Sequence, residues 1–156
     1  MYNVDVESYR KLLNELNFNK LEEILMEKTF PEMEDILYRL AYNPETDESN
    51  LLVYTFLQRI LYKKESSLIH LSISRLMGFI LNHIDKAELI GLFHGLRAAE
   101  LDPDNIDIKE YLIYFNHIPE KLLSDNDAVR FALEVVKFRP DSKVAQITLA
   151  KVNYSK

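Results

Sequence analysis

Three short segments of this chain share one pattern, in which an apolar helical run reaches a proline and an acidic residue follows directly. The segments are residues 40–45, 100–105 and 137–142. Proline has no amide hydrogen to donate and restricts the residue before it, so each proline ends a helix. The polar side chains after it can accept a hydrogen bond from the first turn of the next helix. The pattern therefore predicts helix hairpins joined by short turns.

The composition favours the same architecture. Only three glycines and five prolines occur in 156 residues, which argues against a fold built from β-hairpins. Hydrophobic residues make up 47% of the chain, enough for a core without cross-links, and the absence of cysteine excludes disulfides and thiol chemistry. We expect one all-α domain over residues 1–156, arranged as a short right-handed α-solenoid of about four helix hairpins.

The spacing of the apolar residues predicts nine helices. They cover residues 5–16, 19–28, 30–40, 50–63, 66–83, 86–101, 105–116, 127–138 and 142–153, with one further helical turn at 119–123. The third begins with a proline at its first helical position, Pro31. The expected capping residues are Asp85 with Glu88 for the sixth helix, Asp125 or Asp127 for the eighth, and Asp141 or Ser142 for the last.

Two glycines one turn apart in the sixth predicted helix indicate a close neighbour. Glycine in a helix interior costs about 1 kcal/mol relative to alanine, so Gly91 and Gly95 need a compensating reason. We expect another helix, the one containing Gly78, to lie against this face in preference to a ligand.

Residues 98–105 read Ala-Ala-Glu-Leu-Asp-Pro-Asp-Asn, and Ala128, Ala132 and Pro140 occur at comparable offsets further along. This C-terminal half resembles tetratricopeptide repeats, whose helix hairpins end with small and aromatic residues and a proline in the next turn. Residues 1–84 are similar to the irregular helix pairs of HEAT-type folds. The resemblance implies an α-solenoid with an irregular part at 1–84 and a repeat-like part at 85–156, which binds partners along a concave surface.

The charge is concentrated in the first third of the chain. Residues 1–50 carry twelve acidic and five basic side chains, although the whole chain has a net charge of only −6. The balance disfavours nucleic-acid binding, which needs a basic surface, and the acidic third suits either a basic protein partner or simple solvation. The most apolar stretch, residues 68–84, is interrupted by His70 and Arg75 and falls short of a membrane span. With no secretory signal at the N-terminus, we expect a cytoplasmic protein without membrane contact.

No motif carries recognisable catalytic or cofactor chemistry. The four histidines lack the spacing of a zinc site, and we expect His83 and His94 to form only local hydrogen bonds. The serines near the central helices lack a glycine-framed nucleophile turn, and no glycine-rich phosphate loop is present. We therefore expect no enzymatic activity, no metal and no cofactor.

The tyrosines are the most informative surface candidates, because tyrosine offers a large apolar body with a polar tip. Tyr38 and Tyr42 share a helix face, and acidic residues surround them in the sequence. The predicted partner-binding residues are Glu34, Asp35, Tyr38, Tyr42, Glu45, Asp47 and Glu48.

The function predicted from these residues is protein–protein interaction without catalysis. Small, acidic, cysteine-free helical proteins of this kind resemble bacterial immunity proteins, which implies that the acidic face neutralises a basic toxin domain. The alternative is a peptide-binding adaptor or regulator that uses a solenoid groove, which a basic groove of Lys63, Lys64, Arg75 and Arg97 would favour. Both a monomer and a homodimer remain open.

Overall fold

The computed structural model describes residues 6–153, and within them the chain is helical, as predicted. The helices are α1 (Val6–Asn14), α2 (Phe18–Met26), α3 (Phe30–Ala41), α4 (Leu52–Lys63), α5 (Ser67–Arg75), α6 (Ala87–Leu101), α7 (Ile106–Leu112), α8 (Tyr114–His117), α9 (Asp125–Phe138) and α10 (Lys143–Asn153). The predicted start of the first helix at residue 5 lies outside the described residues. None of the helices between residues 6 and 153 has both the length and the apolar character needed to cross a membrane.

Several helix starts follow directly from the side chains at their first turns. At α3 the backbone N–H of Thr29 donates to Glu32 Oε2 over 2.9 Å, and Pro31 lies in the first turn, one position later than predicted because the helix begins at Phe30. At α10 the Ser142 hydroxyl accepts from the Ala145 N–H over 3.4 Å, which selects Ser142 over Asp141.

Two predicted caps are wrong. The cap of α9 is Ser124, whose hydroxyl accepts from the Asp127 N–H over 3.1 Å, because the helix begins at Asp125 and so contains both acidic candidates. At α6 the predicted Asp85 cap is replaced by Lys86, which adopts the left-handed conformation (φ 64°) and provides no side-chain cap. That conformation turns the chain between Asp85 and the helix.

The predicted helix over 66–83 is also interrupted. After Arg75 the chain continues as a π-helical turn, Leu76–Ile80, which the Leu81 N–H closes by donating to the Leu76 carbonyl oxygen over 2.9 Å. The helix predicted over 105–116 is divided at Ile113, and the helical turn predicted at 119–123 is absent. In that segment Lys121 is left-handed (φ 47°), which stops a helical turn from forming.

A short antiparallel ladder joins α3 to α4. Strand β1 (Tyr42–Asn43) pairs with β2 (Glu48–Ser49), so the segment between the third and fourth predicted helices is a small hairpin. Asp47 adopts the left-handed conformation (φ 55°) in the turn, which aspartate tolerates better than most residues. We refer to residues 42–49 as the acidic hairpin.

The core has two hydrophobic clusters that meet where α5 crosses α6. One is formed by α1 to α5, the π-helical turn, Leu81 and Ala87 at the start of α6, and the other by the later part of α6 and α7 to α10 together with Leu71 of α5. The crossing is close because glycines lie in it, as predicted. A Cβ added to Gly91 would lie 3.0 Å from the carbonyl oxygen of Ser74 and 3.1 Å from the backbone nitrogen of Gly78. A Cβ on Gly95 would lie 2.7 Å from Leu112 Cδ2.

Candidate functional site

A large groove lies between α4 and α6. Its volume is about 1040 Å³. Residues of α4 form one wall, residues of α6 form the other, and His70 of α5 contributes to the floor. We call this surface the α4–α6 groove.

The rim of the α4–α6 groove is apolar and exposed. Tyr62 on α4 is 94% exposed, and Phe93 and Leu89 on α6 are 64% and 47% exposed. Single exposed hydrophobic residues are ordinary on a protein surface, whereas here three of them line one concave surface. Aromatic side chains at such sites contribute much of the binding free energy in protein complexes.

The floor of the groove is a network of four polar side chains, which we call the histidine network: Glu65, His70, His94 and Gln58. The Nδ1 atoms of His70 and His94 lie 2.7 Å apart, and both rings are buried. His70 Nε2 lies 3.2 Å from Glu65 Oε1. At the other end, His94 Nε2 lies 3.1 Å from Gln58 Nε2.

The direction of every hydrogen bond in the network follows from Glu65. Arg97 donates to both oxygens of Glu65, Nε to Oε1 over 2.7 Å and Nη2 to Oε2 over 2.9 Å. These bonds, and then the bond from His70, lower the pKa of Glu65 to about 2, so it is ionised and can only accept. His70 Nε2 must therefore carry the hydrogen and donate to it.

In the neutral state of the pair, one assignment satisfies both rings. With its hydrogen on Nε2, His70 accepts at Nδ1 from the Nδ1–H of His94. His94 then has its lone pair on Nε2 and accepts from the Gln58 amide N–H. The amide orientation of Gln58 is thus fixed by a carboxylate three hydrogen bonds away.

The histidine pair is neutral at physiological pH. Burial, and to a smaller extent the neighbouring His70, together lower the pKa of His94 to about 4. Burial also lowers the pKa of His70 by more than the nearby Glu65 raises it. Both folded-state pKa values lie below the usual value of 6.5, so the pair gains a proton only as the pH falls well below neutrality.

The structure separates the predicted partner-binding residues into two groups. Glu34 is only 8% exposed, accepts from the Tyr38 hydroxyl over 3.0 Å and pairs with Arg75 Nη1 at 2.8 Å. Burial and the adjacent Glu34 raise the pKa of Tyr38. Asp35, on the same helix, is exposed and lies 3.8 Å from Arg39. Glu34 and Tyr38 therefore face the interior.

The second group lies in the acidic hairpin. The Tyr42 hydroxyl donates to Asp47 Oδ1 over 2.8 Å, and this bond raises the pKa of Tyr42. Glu45 and Glu48 are exposed on the same hairpin, where Glu48 accepts from the Thr46 hydroxyl over 2.9 Å. The backbone N–H of Tyr42 donates to the carbonyl oxygen of Tyr38 at the end of α3, but the two tyrosine hydroxyls donate to different carboxylates, Asp47 and Glu34.

The basic residues named for the adaptor alternative lie in different places. Lys63 and Lys64 line a smaller pocket against α2, where Lys63 pairs with Glu22 at 2.5 Å. Arg97 is bound to Glu65 beside the α4–α6 groove, and Arg75 is bound to Glu34.

The histidine network was not predicted from the sequence. His70 and His94 are 24 positions apart on different helices, and the expectation of local hydrogen bonds is wrong for both His83 and His94. His83 Nε2 lies 2.8 Å from the hydroxyl of Ser49, which is 34 positions away. The one available signal was a histidine next to Gly95, on the face where a close helix crossing was predicted.

Over residues 6–153, no group of three or more histidine, aspartate or glutamate side chains is placed to hold a metal ion.

No family model, curated protein or solved structure matches the chain.

Proposed function

We propose that this protein is a non-catalytic protein-binding module that holds a segment of a partner protein in the α4–α6 groove. The observation that carries the proposal is the exposed rim of Tyr62, Phe93 and Leu89 around a concave surface. Burying one large apolar side chain is worth about 1.5–3 kcal/mol, so a partner that covers all three gains a substantial part of its affinity there. This function is that of a peptide-binding adaptor, which the sequence also leaves open as the alternative to the immunity-type function.

The resemblance to tetratricopeptide and HEAT-type repeats supports the same function. In a short right-handed α-solenoid of about four hairpins, partners bind along a surface made by equivalent helices. A groove between α4 and α6 is compatible with such an arrangement. We infer that the whole chain forms one such domain, and that it acts in the cytoplasm.

A matched pair of substitutions tests the role of the rim. Peptides are first selected on the immobilised protein from a displayed library of random dodecapeptides, and their affinities are measured by calorimetry. Phe93→Ala is expected to weaken the selected peptides at least tenfold. Phe138→Ala is the control, since Phe138 is 73% exposed on α9, outside the groove. Equal effects of the two substitutions, or a failure to select any peptide, would contradict the proposal.

The native partner is located by photo-crosslinking. A photoreactive amino acid replaces Leu89 in the groove or, as the control, Leu133 on α9, which is 50% exposed and so similarly accessible. Crosslinking in the native cell is expected from position 89 only, and it should disappear when Phe93→Ala is added. Crosslinking from both positions or from neither would refute this placement of the binding surface.

The acidic hairpin supports a second candidate, the immunity-type function. Glu45 and Glu48 are exposed on one small hairpin, which suits capture of a basic toxin domain with electrostatic steering. Glu45→Lys combined with Glu48→Lys is expected to abolish binding of such a domain, whereas Phe93→Ala would leave it intact. The opposite result assigns the partner to the groove.

A further inference from the structure

Among residues 6–153, two hydrogen-bonding atoms of the groove floor have no protein partner. Gln58 Nε2 donates to the Tyr54 hydroxyl oxygen over 2.7 Å as well as to His94 Nε2. In the described part of the chain, Gln58 Oε1 receives no hydrogen bond and the Tyr54 hydroxyl hydrogen has no acceptor. Neither group is fully buried, because both side chains line the groove. The floor therefore offers one acceptor next to one donor.

We propose that this pair binds the main-chain amide groups of one residue in an extended partner segment. The peptide N–H donates to Gln58 Oε1, and the carbonyl oxygen of the same residue accepts from the Tyr54 hydroxyl. The N–H and C=O of one residue in an extended chain point to the same side, as they do when two paired residues of an antiparallel sheet exchange both bonds. The inference rests on the proposed function and specifies how its site recognises a partner.

The apolar rim fits the same occupant. Successive side chains of an extended segment point to opposite sides, so a residue bonded to the floor has neighbours that can contact Phe93 and Leu89 on α6 and Tyr62 on α4. Main-chain bonds then contribute affinity without regard to sequence, and the rim selects apolar side chains.

The charges around the floor are already matched. Glu65 is paired with Arg97, and Arg59 at the groove wall donates to Glu22 over 3.0 Å. Lys86 lies 3.5 Å from Asp85. Since no unpaired carboxylate faces the floor among the described residues, and His70 and His94 are neutral, a neutral amide suits it better than a charged group.

Glu65, His70 and His94 are positioning residues in this scheme. They hold Gln58 with its amide nitrogen towards His94 and its oxygen towards the groove. If the histidine pair takes up a proton while keeping its central bond, His94 Nε2 becomes a donor and the Gln58 amide must rotate to present its oxygen to it. The floor then offers an amide N–H₂ where it had offered an acceptor, and the extended segment loses its bond.

The first test reads the network directly in the free protein. Nitrogen-15 NMR of the histidine rings at pH 7 is expected to show the hydrogen of His94 on Nδ1 and that of His70 on Nε2. A hydrogen on Nε2 of His94 would overturn the inference, because Gln58 would then present its oxygen to His94. This measurement needs no partner.

The second test uses the tightest peptide from the displayed library. Each backbone amide of the peptide is replaced in turn by an ester, which removes one N–H donor. At one peptide position the ester is expected to weaken binding to the wild-type protein about tenfold. The same ester should not change binding to the Gln58→Met variant, which has no amide oxygen to lose. Tyr54→Phe is expected to weaken the parent peptide by a similar factor.

The outcomes separate this inference from the proposed function. A peptide that depends on Phe93 but shows no ester position coupled to Gln58 keeps the groove and refutes main-chain recognition. Coupling of Gln58 to an Asn or Gln side chain of the peptide refutes it also. If Gln58→Met does not fold, Tyr54→Phe and the NMR measurement still decide, because neither requires that variant.

Discussion

Acidification should destabilise the folded protein through the buried histidine pair. The usual pKa of histidine is 6.5, and burial lowers that of His94 to about 4 in the folded state. The unfolded chain therefore binds a proton as the pH falls through 6.5, while folded His94 stays neutral until about pH 4. Stability present above pH 6.5 is lost across this window.

The size of the effect follows from linkage. One pKa unit corresponds to about 1.36 kcal/mol, so His94 alone should lower the free energy of unfolding by about 2 kcal/mol between pH 7 and pH 5. The loss should reach about 3 kcal/mol at pH 4. His70 adds to it, because its pKa is lowered in the same direction. The pKa of Glu65 is lowered to about 2, so its own contribution falls mainly below this window.

Urea unfolding at pH 7, 6 and 5 measures the effect. His94→Gln is the informative variant, since a glutamine amide can donate to His70 and accept from Gln58 without titrating. The dependence of stability on pH should be weaker in this variant by about 2 kcal/mol over the range. His83→Gln is the control, because His83 is an exposed histidine whose ring bonds to Ser49 of β2 and takes no part in the histidine network. If the wild type and His94→Gln lose equal stability from pH 7 to pH 5, our account of the pair is wrong.

Three further substitutions probe the fold, each by its change in the free energy of unfolding. Gly91→Ala should lower the free energy of unfolding by about 1–3 kcal/mol despite the better helix propensity of alanine, because the new Cβ would lie 3.0 Å from the backbone of α5. An unchanged stability would mean that the two helices can move apart. Glu34→Gln should cost about 1–3 kcal/mol by leaving a partly buried guanidinium poorly paired, and the exposed Asp35→Asn should change stability by less than about 0.5 kcal/mol. Lys86→Gly should raise stability by about 0.5 kcal/mol, since glycine adopts φ 64° without strain, and a loss would show that the side chain contributes more than the strain costs.

The features predicted correctly are those that depend on neighbouring residues. The proline at the first turn of α3 and the serine cap of α10 are local signals, and both are present in the structure. The predicted cap of α9 was wrong because residues 124–127 offer several side-chain oxygens within one turn. Only the backbone angles decide which of these residues is the N-cap. The close helix crossing was predictable because glycine in a helix interior is costly.

The candidate site was not predictable, because it depends on the relative placement of separate helices. The rotation of α6 against α5 decides whether His94 faces His70 or solvent, and no periodicity within one helix contains that information. The same holds for Tyr62 and Phe93, which are ordinary exposed residues until their helices are placed side by side. In the predicted acidic surface, Glu34 was indistinguishable from Asp35 in sequence, and the ion pair with Arg75 is the difference.

The π-helical turn at Leu76–Ile80 fixes the phase of the chain that follows it. Each residue of an α-helix advances the direction of the side chains by about 100°, and a π turn accommodates one residue more than the α-helix would. Leu81, directly after the turn, is fully buried. Deleting one residue from the turn would allow a continuous α-helix. The residues that follow, including Leu81, would then be rotated about the helix axis by about a quarter of a turn or more. The surplus residue therefore serves as a mechanical spacer, and the length of this turn should be under stricter constraint than the identity of its side chains.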